Sequence, residues 1–251
     1  MDLKGKVALI TGSTSEGMGR STALTLAARG ADIVLNYGTN RSDEEADQKA
    51  RQVEKAIHDL GRRVITVKAD TKSGDEVSAM VKKAHEEFGR VDILVLNAGG
   101  DWHVRDYPDT PDDHWEKVIA AEITGAFLPM KYIVPGMRER SWGRIILLGM
   151  YHDPYLKEVA LDYCVGKAAR AYMTTAFWLP DFDKGITINC IEPGLTQKMH
   201  MTDALKAAKG DHVNWLARKK VNAHDVAEII AFLCSEAGRF VSGSIIRIPT
   251  R

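Results

Sequence analysis

The chain carries three cysteines, Cys164, Cys190 and Cys234, scattered and set among apolar residues. So few thiols, odd in number and without paired spacing, exclude a disulfide framework and a cysteine-based zinc site. They read as reduced core thiols of a cytoplasmic protein. Charge of one sign is also missing: 34 Lys and Arg stand against 34 Asp and Glu. That balance removes the global electrostatic case for a nucleic acid or an anionic membrane as partner. No run of 18 apolar residues occurs, and the start MDLKGKVALITG enters a strand pattern with no apolar leader. Neither a membrane span nor a signal peptide is expected. Histidines and acids do not share a ligand spacing on one helix face, so no metal is expected. Internal repeats, low-complexity tracts and linkers are absent, which predicts a single domain over residues 1–251.

What is present is an alternation of short apolar runs and longer helical patterns. The runs Val7–Thr11, Asp32–Tyr37, Val64–Ala69, Val91–Asn97, Arg144–Leu148, Ile186–Ile191 and Ser244–Ile248 are rich in Val, Ile and Leu with little polar alternation. That suits strands buried on both faces of a parallel sheet. Helical patterns lie near 19–29, 43–60, 73–88, 112–138, 157–180 and 224–236. Thr110 is the expected N-cap of the fourth, with Pro111 in its first turn. The pattern predicts an α/β fold, a doubly wound Rossmann-type parallel sheet of seven strands with helices on both faces. The segment about 195–222 is the least regular, and it is placed to cover a ligand at the carboxyl edge of the sheet.

Three stretches carry chemistry. The first is TGSTSEGMGR, 11–20, directly after the first strand. Gly12, Gly17 and Gly19, with Ser13, Thr14 and Met18 between and beside them, make a glycine-rich turn into a helix. Such a turn lets a pyrophosphate approach free N–H groups at a helix N-terminus, although an ordinary βα turn can look the same. The second is LNYGTNRS at the end of the second strand. No acid stands there to hold ribose hydroxyls, and Arg41 among hydroxyls and amides suits a 2′-phosphate, which favours NADP over NAD; a solvated loop is the bland alternative. The third is Tyr163-Cys-Val-Gly-Lys167. Four residues apart on a helix, Tyr163 and Lys167 project from one face and can perform acid–base chemistry.

With TGSTSEGMG (11–19), Asp70, LNAGG (96–100), Tyr163/Lys167 and NCIEPG (189–194) in this order and at these intervals, the chain resembles the short-chain dehydrogenase/reductases from residue 4 to about 245. The resemblance implies a nicotinamide dinucleotide, a small-molecule substrate and a homo-oligomer, most often a tetramer through the two long helices. It implies that Asp70 and Thr71 meet the adenine and that Asn97, Ala98 and Gly99 pass the ribose and pyrophosphate. Pro193 and Gly194 would flank the nicotinamide, with Thr196 reaching its carboxamide or a phosphate. Tyr163 would be the acid/base. Lys167 would hold the nicotinamide ribose and, with the oxidised ring, lower the tyrosine's pKa.

The departures from that family are specific. The glycine loop is one residue longer than usual, and Glu16 stands where a basic residue is common. Met150 occupies the serine position, and a thioether cannot donate a hydrogen bond. Tyr151 and His152 follow it and are candidate replacements. Glu122 occupies the position of the helix asparagine; it can accept from Lys167 or a water, or pair with Lys167 as a buried ion pair. Trp102 and His103 edge the expected pocket as substrate contacts, and Met199, His200 and Met201 offer an apolar wall or plain helix packing. Lys167 could activate the Cys164 thiol, which otherwise reads as a spectator. The RKK run at 218–220 reads as a solvated helix end. The primary expectation is an NADP(H)-dependent oxidoreductase acting on a carbonyl or alcohol. The alternatives are a reductase of activated C=C or C=N bonds or a non-redox isomerase or cyclase, and a catalytically silent binding protein.

Overall fold

A computed structural model describes residues 2–38, 43–151, 159–211, 218 and 220–249. The expected apolar runs form seven strands: β1 (Val7–Ile10), β2 (Asp32–Tyr37), β3 (Val64–Lys68), β4 (Ile93–Leu96), β5 (Gly143–Leu148), β6 (Ile186–Pro193) and β7 (Ile245–Ile248). They pair in parallel as one sheet of order β3-β2-β1-β4-β5-β6-β7. The helices are α1 (Met18–Ala28), α2 (Asp43–Asp59), α3 (Gly74–Phe88), α4 (Asp112–Ile119), α5 (Gly125–Glu139), α6 (Leu161–Phe177), α7 (Leu179–Phe182), α8 (Met201–Ala208) and α9 (Ala223–Cys234).

Alternate residues of the inner strands enter opposite cores. Ala8, Ile10, Ile33, Leu35, Ile93 and Val95 pack with residues of α1, α2 and α9. Val7, Leu9, Val34, Leu94 and Leu96 pack with residues of α3 and α5. Both faces are covered, so both sets must be apolar, and the polar alternation of a one-sided sheet is absent. The pairing Leu9↔Val34 and Leu9↔Leu94 sets the register of the centre. A slip of one residue would exchange the two cores for every strand, which fixes that register strongly.

Four expectations change. Thr110 is not the N-cap of α4: it closes a short 3₁₀ turn, Tyr107–Asp109, and Pro111 takes the cap with no side-chain hydrogen bond. A proline ring fixes φ but offers no side-chain acceptor, so Asp112 and Asp113 at the positive helix end supply the remaining stabilisation. The helix expected over 112–138 is interrupted by a π turn, Ala120–Thr124, between α4 and α5. The helix expected over 157–180 is described from Leu161 and divides at Trp178 into α6 and α7. The covering segment contains a true helix, α8, whose Ala204 and Ala208 are buried. By length and composition the Asp112–Glu139 rod is apolar enough to cross a bilayer. Its Ala126, Met130, Ile133 and Met137 are instead buried against the sheet.

Because the strands are parallel, their carboxyl ends share one edge. The chain leaves β1 towards β2 and β3, then returns to β4 on the other side of β1. The loops after β1 and β4 therefore part, and a crevice opens between them, as it does wherever strand order reverses in such a sheet.

Candidate active site

A cleft of about 300 Å³ occupies that crevice. Its floor is the loop after β1. Gly12 has φ 64°, a left-handed conformation that a side chain would strain, and a β-carbon there would lie 3.0 Å from the Ala98 Cα. At Gly19 a β-carbon would lie 2.5 Å from both Asn97 Nδ2 and Gly12 O. These two glycines are required by space. Gly17 is not: it is the N-cap of α1 with open space around it.

Two asparagines hold the loop. Asn97 Nδ2 donates to Thr11 O (3.0 Å) and Gly12 O (2.9 Å), while its backbone N–H and that of Ala98 donate to Thr11 Oγ1, both at 3.0 Å. Asn36, fully buried in β2, accepts from Gly12 N (3.4 Å) and donates to Ala69 O (3.0 Å). Ser13 is also buried, and its hydroxyl donates to Asn36 O (3.2 Å), so it anchors the loop to β2. Met18, the first residue of α1, packs on the core. Thr14 lines the cleft, and so does Ser15, which the sequence did not single out. Glu16 is half exposed and lies 4.0 Å from Arg20. Arg20 is buried and donates to Met199 O, tying the start of α1 to the covering segment.

The far wall carries Asp70, Thr71, Lys72 and Lys49. Asp70 accepts from the Lys72 backbone N–H (2.9 Å) and Nζ (2.7 Å). Burial pushes its carboxyl up, but the bonds and charge of Lys72 outweigh this and hold it below the usual carboxylate value. Tyr37, Gly38, Asn97, Ala98 and Gly99 complete the wall. Arg41 lies outside the described residues.

Beyond the cleft stand Tyr163 and Lys167 on α6. Their expected alignment is present: Lys167 Nζ lies 5.0 Å from the centre of the Tyr163 ring. Lys167 is buried, with Nζ donating to Leu148 O (3.1 Å) at the end of β5. Its other neighbour is Glu122, which the π turn brings inward. Glu122 is wholly buried; its Oε2 lies 3.1 Å from Lys167 Nζ, and its Oε1 accepts from Gly100 N (2.7 Å). The buried ion pair with Lys167 is formed. A fourth residue joins it: Arg170, wholly buried, with Nε 2.9 Å from Glu122 Oε2. The sequence offered one sign of this residue, its place seven positions after Tyr163 on the same helical stripe.

The electrostatics are those of the chain without the oxidised ring that the expectation includes. Burial, and secondarily the Glu122 carboxylate, push the Tyr163 hydroxyl well above its usual pKa; Lys167 does not lower it in the chain alone. Burial and the Arg170 charge bring Lys167 down to about 8, against the opposing pull of Glu122. Cys164 is not activated either: burial and Asp162 raise its pKa.

Next to the pair, Trp102 meets Tyr163 edge-on with ring centres 5.4 Å apart and remains 42% exposed. His103 turns instead to His114, at 5.2 Å between centres, and His114 Nε2 lies 3.2 Å from the buried Asp162 Oδ2. Met150 and Tyr151 follow β5, with Tyr151 N donating to Pro193 O (3.0 Å). His152 lies outside the described residues. Pro193 ends β6, Gly194 N donates to Ile248 O (2.9 Å), and Thr196 Oγ1 donates to Gly194 O (3.0 Å). Met199 and Met201 are partly buried and pack on the core. Arg218 is not a solvated helix end: it pairs with Asp225 at 2.5 Å.

The close approach at Gly19 gives a direct test. Gly19→Ala should displace Asn97 from the loop, at a cost of about 1–3 kcal/mol typical of overpacking. Dinucleotide affinity, read by quenching of intrinsic fluorescence, should fall about tenfold or more while the circular dichroism stays native. Unchanged affinity would show that the loop does not hold the nucleotide.

A family model described as Enoyl-(Acyl carrier protein) reductase matches residues 12–249. D-beta-hydroxybutyrate dehydrogenase of Cupriavidus necator is 34% identical over 259 residues, covering 97% of this chain and 96% of that protein. The 3-oxoacyl-(acyl-carrier-protein) reductase FabG of Staphylococcus epidermidis is 30% identical, with 97% of each covered. The crystal structure of a dehydrogenase/reductase from Sinorhizobium meliloti 1021 superposes with a TM-score of 0.81 at 25% identity, covering 98% of this chain and 94% of that one. The family model and these relatives span nearly the whole chain, and the chain belongs to the short-chain dehydrogenase/reductase family of oxidoreductases.

Proposed function

We propose that this chain is an NADP(H)-dependent oxidoreductase that moves hydride to or from a carbonyl or alcohol carbon, with Tyr163 as the acid/base. The observation that carries this reading is the stacking of Lys167 Nζ over the Tyr163 ring at the carboxyl edge of β5, next to the cleft. It acts, on this reading, as one domain in the cytoplasm. Two features of the cleft support a dinucleotide there. Gly12 and Gly19 leave a backbone surface with no room for side chains, and the N-terminus of α1 offers free N–H groups for phosphate. Asp70 and Thr71 take the adenine side, Asn97, Ala98 and Gly99 the ribose, and Pro193, Gly194 and Thr196 the nicotinamide side. NADP is favoured because no acid ends β2, while Lys49 and Lys72 border the cleft.

The nicotinamide supplies or accepts the hydride when bound. The residues of the chain do the rest. Tyr163, protonated over the physiological range, donates its proton to the substrate oxygen on reduction and takes it back on oxidation. Lys167 holds the ribose hydroxyls and Glu122 holds Lys167. Trp102 walls the substrate beside Tyr163. Met150 supplies no donor to the substrate oxygen, and loss of one such donor costs about 3 kcal/mol of transition-state stabilisation. That vacancy favours a second reading, reduction of a conjugated C=C bond, to which the family model's description as an enoyl reductase also points.

One experiment addresses both. Tyr163→Phe is assayed against ketones, alcohols and enoyl thioesters. Turnover should drop on the order of 10²–10⁴-fold with dinucleotide binding retained; turnover at the native rate would reject the assignment. The substrate class that the native protein turns over selects between the readings.

The exposed apolar residues Phe127 on α5, Tyr172 and Phe177 on α6, and Leu179 on α7 support a homotetramer formed through these helices. Light scattering should give four times the chain mass, and a monomer mass would reject it.

A further inference from the structure

Glu122 occupies a space built for it. A β-carbon on Gly166, immediately before Lys167, would lie 2.5 Å from Glu122 Cβ and 2.7 Å from its Cγ. A β-carbon on Gly99 would collide with Glu122 Oε1. Two glycines from different elements, the β4 loop and α6, therefore clear one volume, and the glutamate fills it.

Arg170 closes the same volume from below. Its Nε donates to Glu122 O (2.9 Å), its Nη1 to Leu96 O (2.9 Å) and Leu148 O (3.2 Å), and its Nη2 to Ala98 O. One guanidinium thus clamps the π turn to the ends of β4 and β5. Its N–H groups are aimed at main-chain carbonyls, and Glu122 Oε2 has no aligned hydrogen-bond donor. What Arg170 presents to that oxygen is charge at 2.9 Å.

We propose that Arg170 is a positioning residue: with Glu122, and in the space left by Gly99 and Gly166, it forms one unit that fixes where Lys167 stands and sets its charge. The proposal rests on the reading of Tyr163 and Lys167 as the working pair. The argument is one of charge count. Two cations and one carboxylate are buried together, which leaves one positive charge in excess. Burial of an uncompensated charge is costly, and an arginine does not release its proton. Lys167 is the group that can, and its ammonium is held down to about 8 by burial and by Arg170. The other ionisable groups facing it are Tyr163 on its own helix, Glu122 from the π turn and Cys190 of β6, whose thiol burial pushes up to about 11. From β5 it meets the Leu148 carbonyl. Burial already lowers the Lys167 ammonium, the Arg170 charge lowers it further and the Glu122 carboxylate opposes both, so the unit sets a group that exchanges its proton near neutral pH, next to the tyrosine whose proton is to be replaced.

The test reads Lys167 itself, in protein without cofactor or substrate, so it stands or falls apart from the Tyr163 assignment. Lysine labelled with 13C at Cε is titrated by NMR, and the Lys167 signal is assigned by its loss in Lys167→Met. The native protein should show a midpoint near 8. Arg170→Met should move it upward by about one unit or more, as removal of an adjacent like charge does. If that variant does not fold, Glu122→Gln/Arg170→Met removes the whole ion pair, a change buried pairs often tolerate. Its Lys167 midpoint should then lie above that of Glu122→Gln alone. A midpoint that is the same with and without Arg170 would overturn the proposal, as would a downward shift. A role limited to packing would leave the midpoint in place.

Discussion

A carboxylate with no exposed surface must be met by positive charge, and in this protein the meeting point organises the catalytic edge. Glu122 accepts from Gly100, lies against Lys167 and Arg170, and sits in a π turn that Arg170 ties to two strand ends. These attachments come from the loop after β4 and from two residues of α6, one of which reaches the ends of β4 and β5. The loop after β4, the turn before α5, the end of β5 and the face of α6 are therefore held at one place. Removing one partner of such a buried group typically costs 3–5 kcal/mol, because the charge left behind is uncompensated. On the proposal above, this contact sets the position of Lys167 beside Tyr163.

The other half of the site depends on neutral hydrogen bonds. Asn36 and Asn97 bracket the glycine loop from β2 and from the end of β4. They bind backbone atoms on both sides of the crevice, so the loop is shaped before any ligand arrives. A preformed loop loses less freedom on binding, which favours affinity. The two halves meet at Asn97–Gly100, where residues 97–99 line the cleft and Gly100 bonds Glu122.

The sheet was legible because burial on both faces leaves a strand no polar positions: Val7–Ile10 and Ile93–Leu96 are apolar throughout. The pairing of Tyr163 with Lys167 was legible from a spacing of four. The π turn was not, because one extra residue in a helix leaves the apolar pattern on either side intact, and only the inward turn of Glu122 reveals it. Arg170 was missed for a related reason. A long cation in a helix reads as surface, and its burial follows only from the carbonyls of Leu96, Ala98 and Leu148, which come from distant parts of the chain. Asn36 was missed because its partners, Gly12 and Ala69, lie 24 and 33 residues away. The α8 helix lies in the segment whose sequence pattern is the least regular of the chain.

The central claim is that a cleft bracketed by two asparagines and a Tyr–Lys pair anchored by a buried carboxylate serve a single nicotinamide dinucleotide. Calorimetric titration of the native protein with NADPH, and separately with NADH, tests it most directly. The account predicts saturable binding of one dinucleotide per chain, tighter for NADPH. No heat and no saturation with either nucleotide would contradict it, and would leave Tyr163, Lys167 and Glu122 without the hydride donor their arrangement requires.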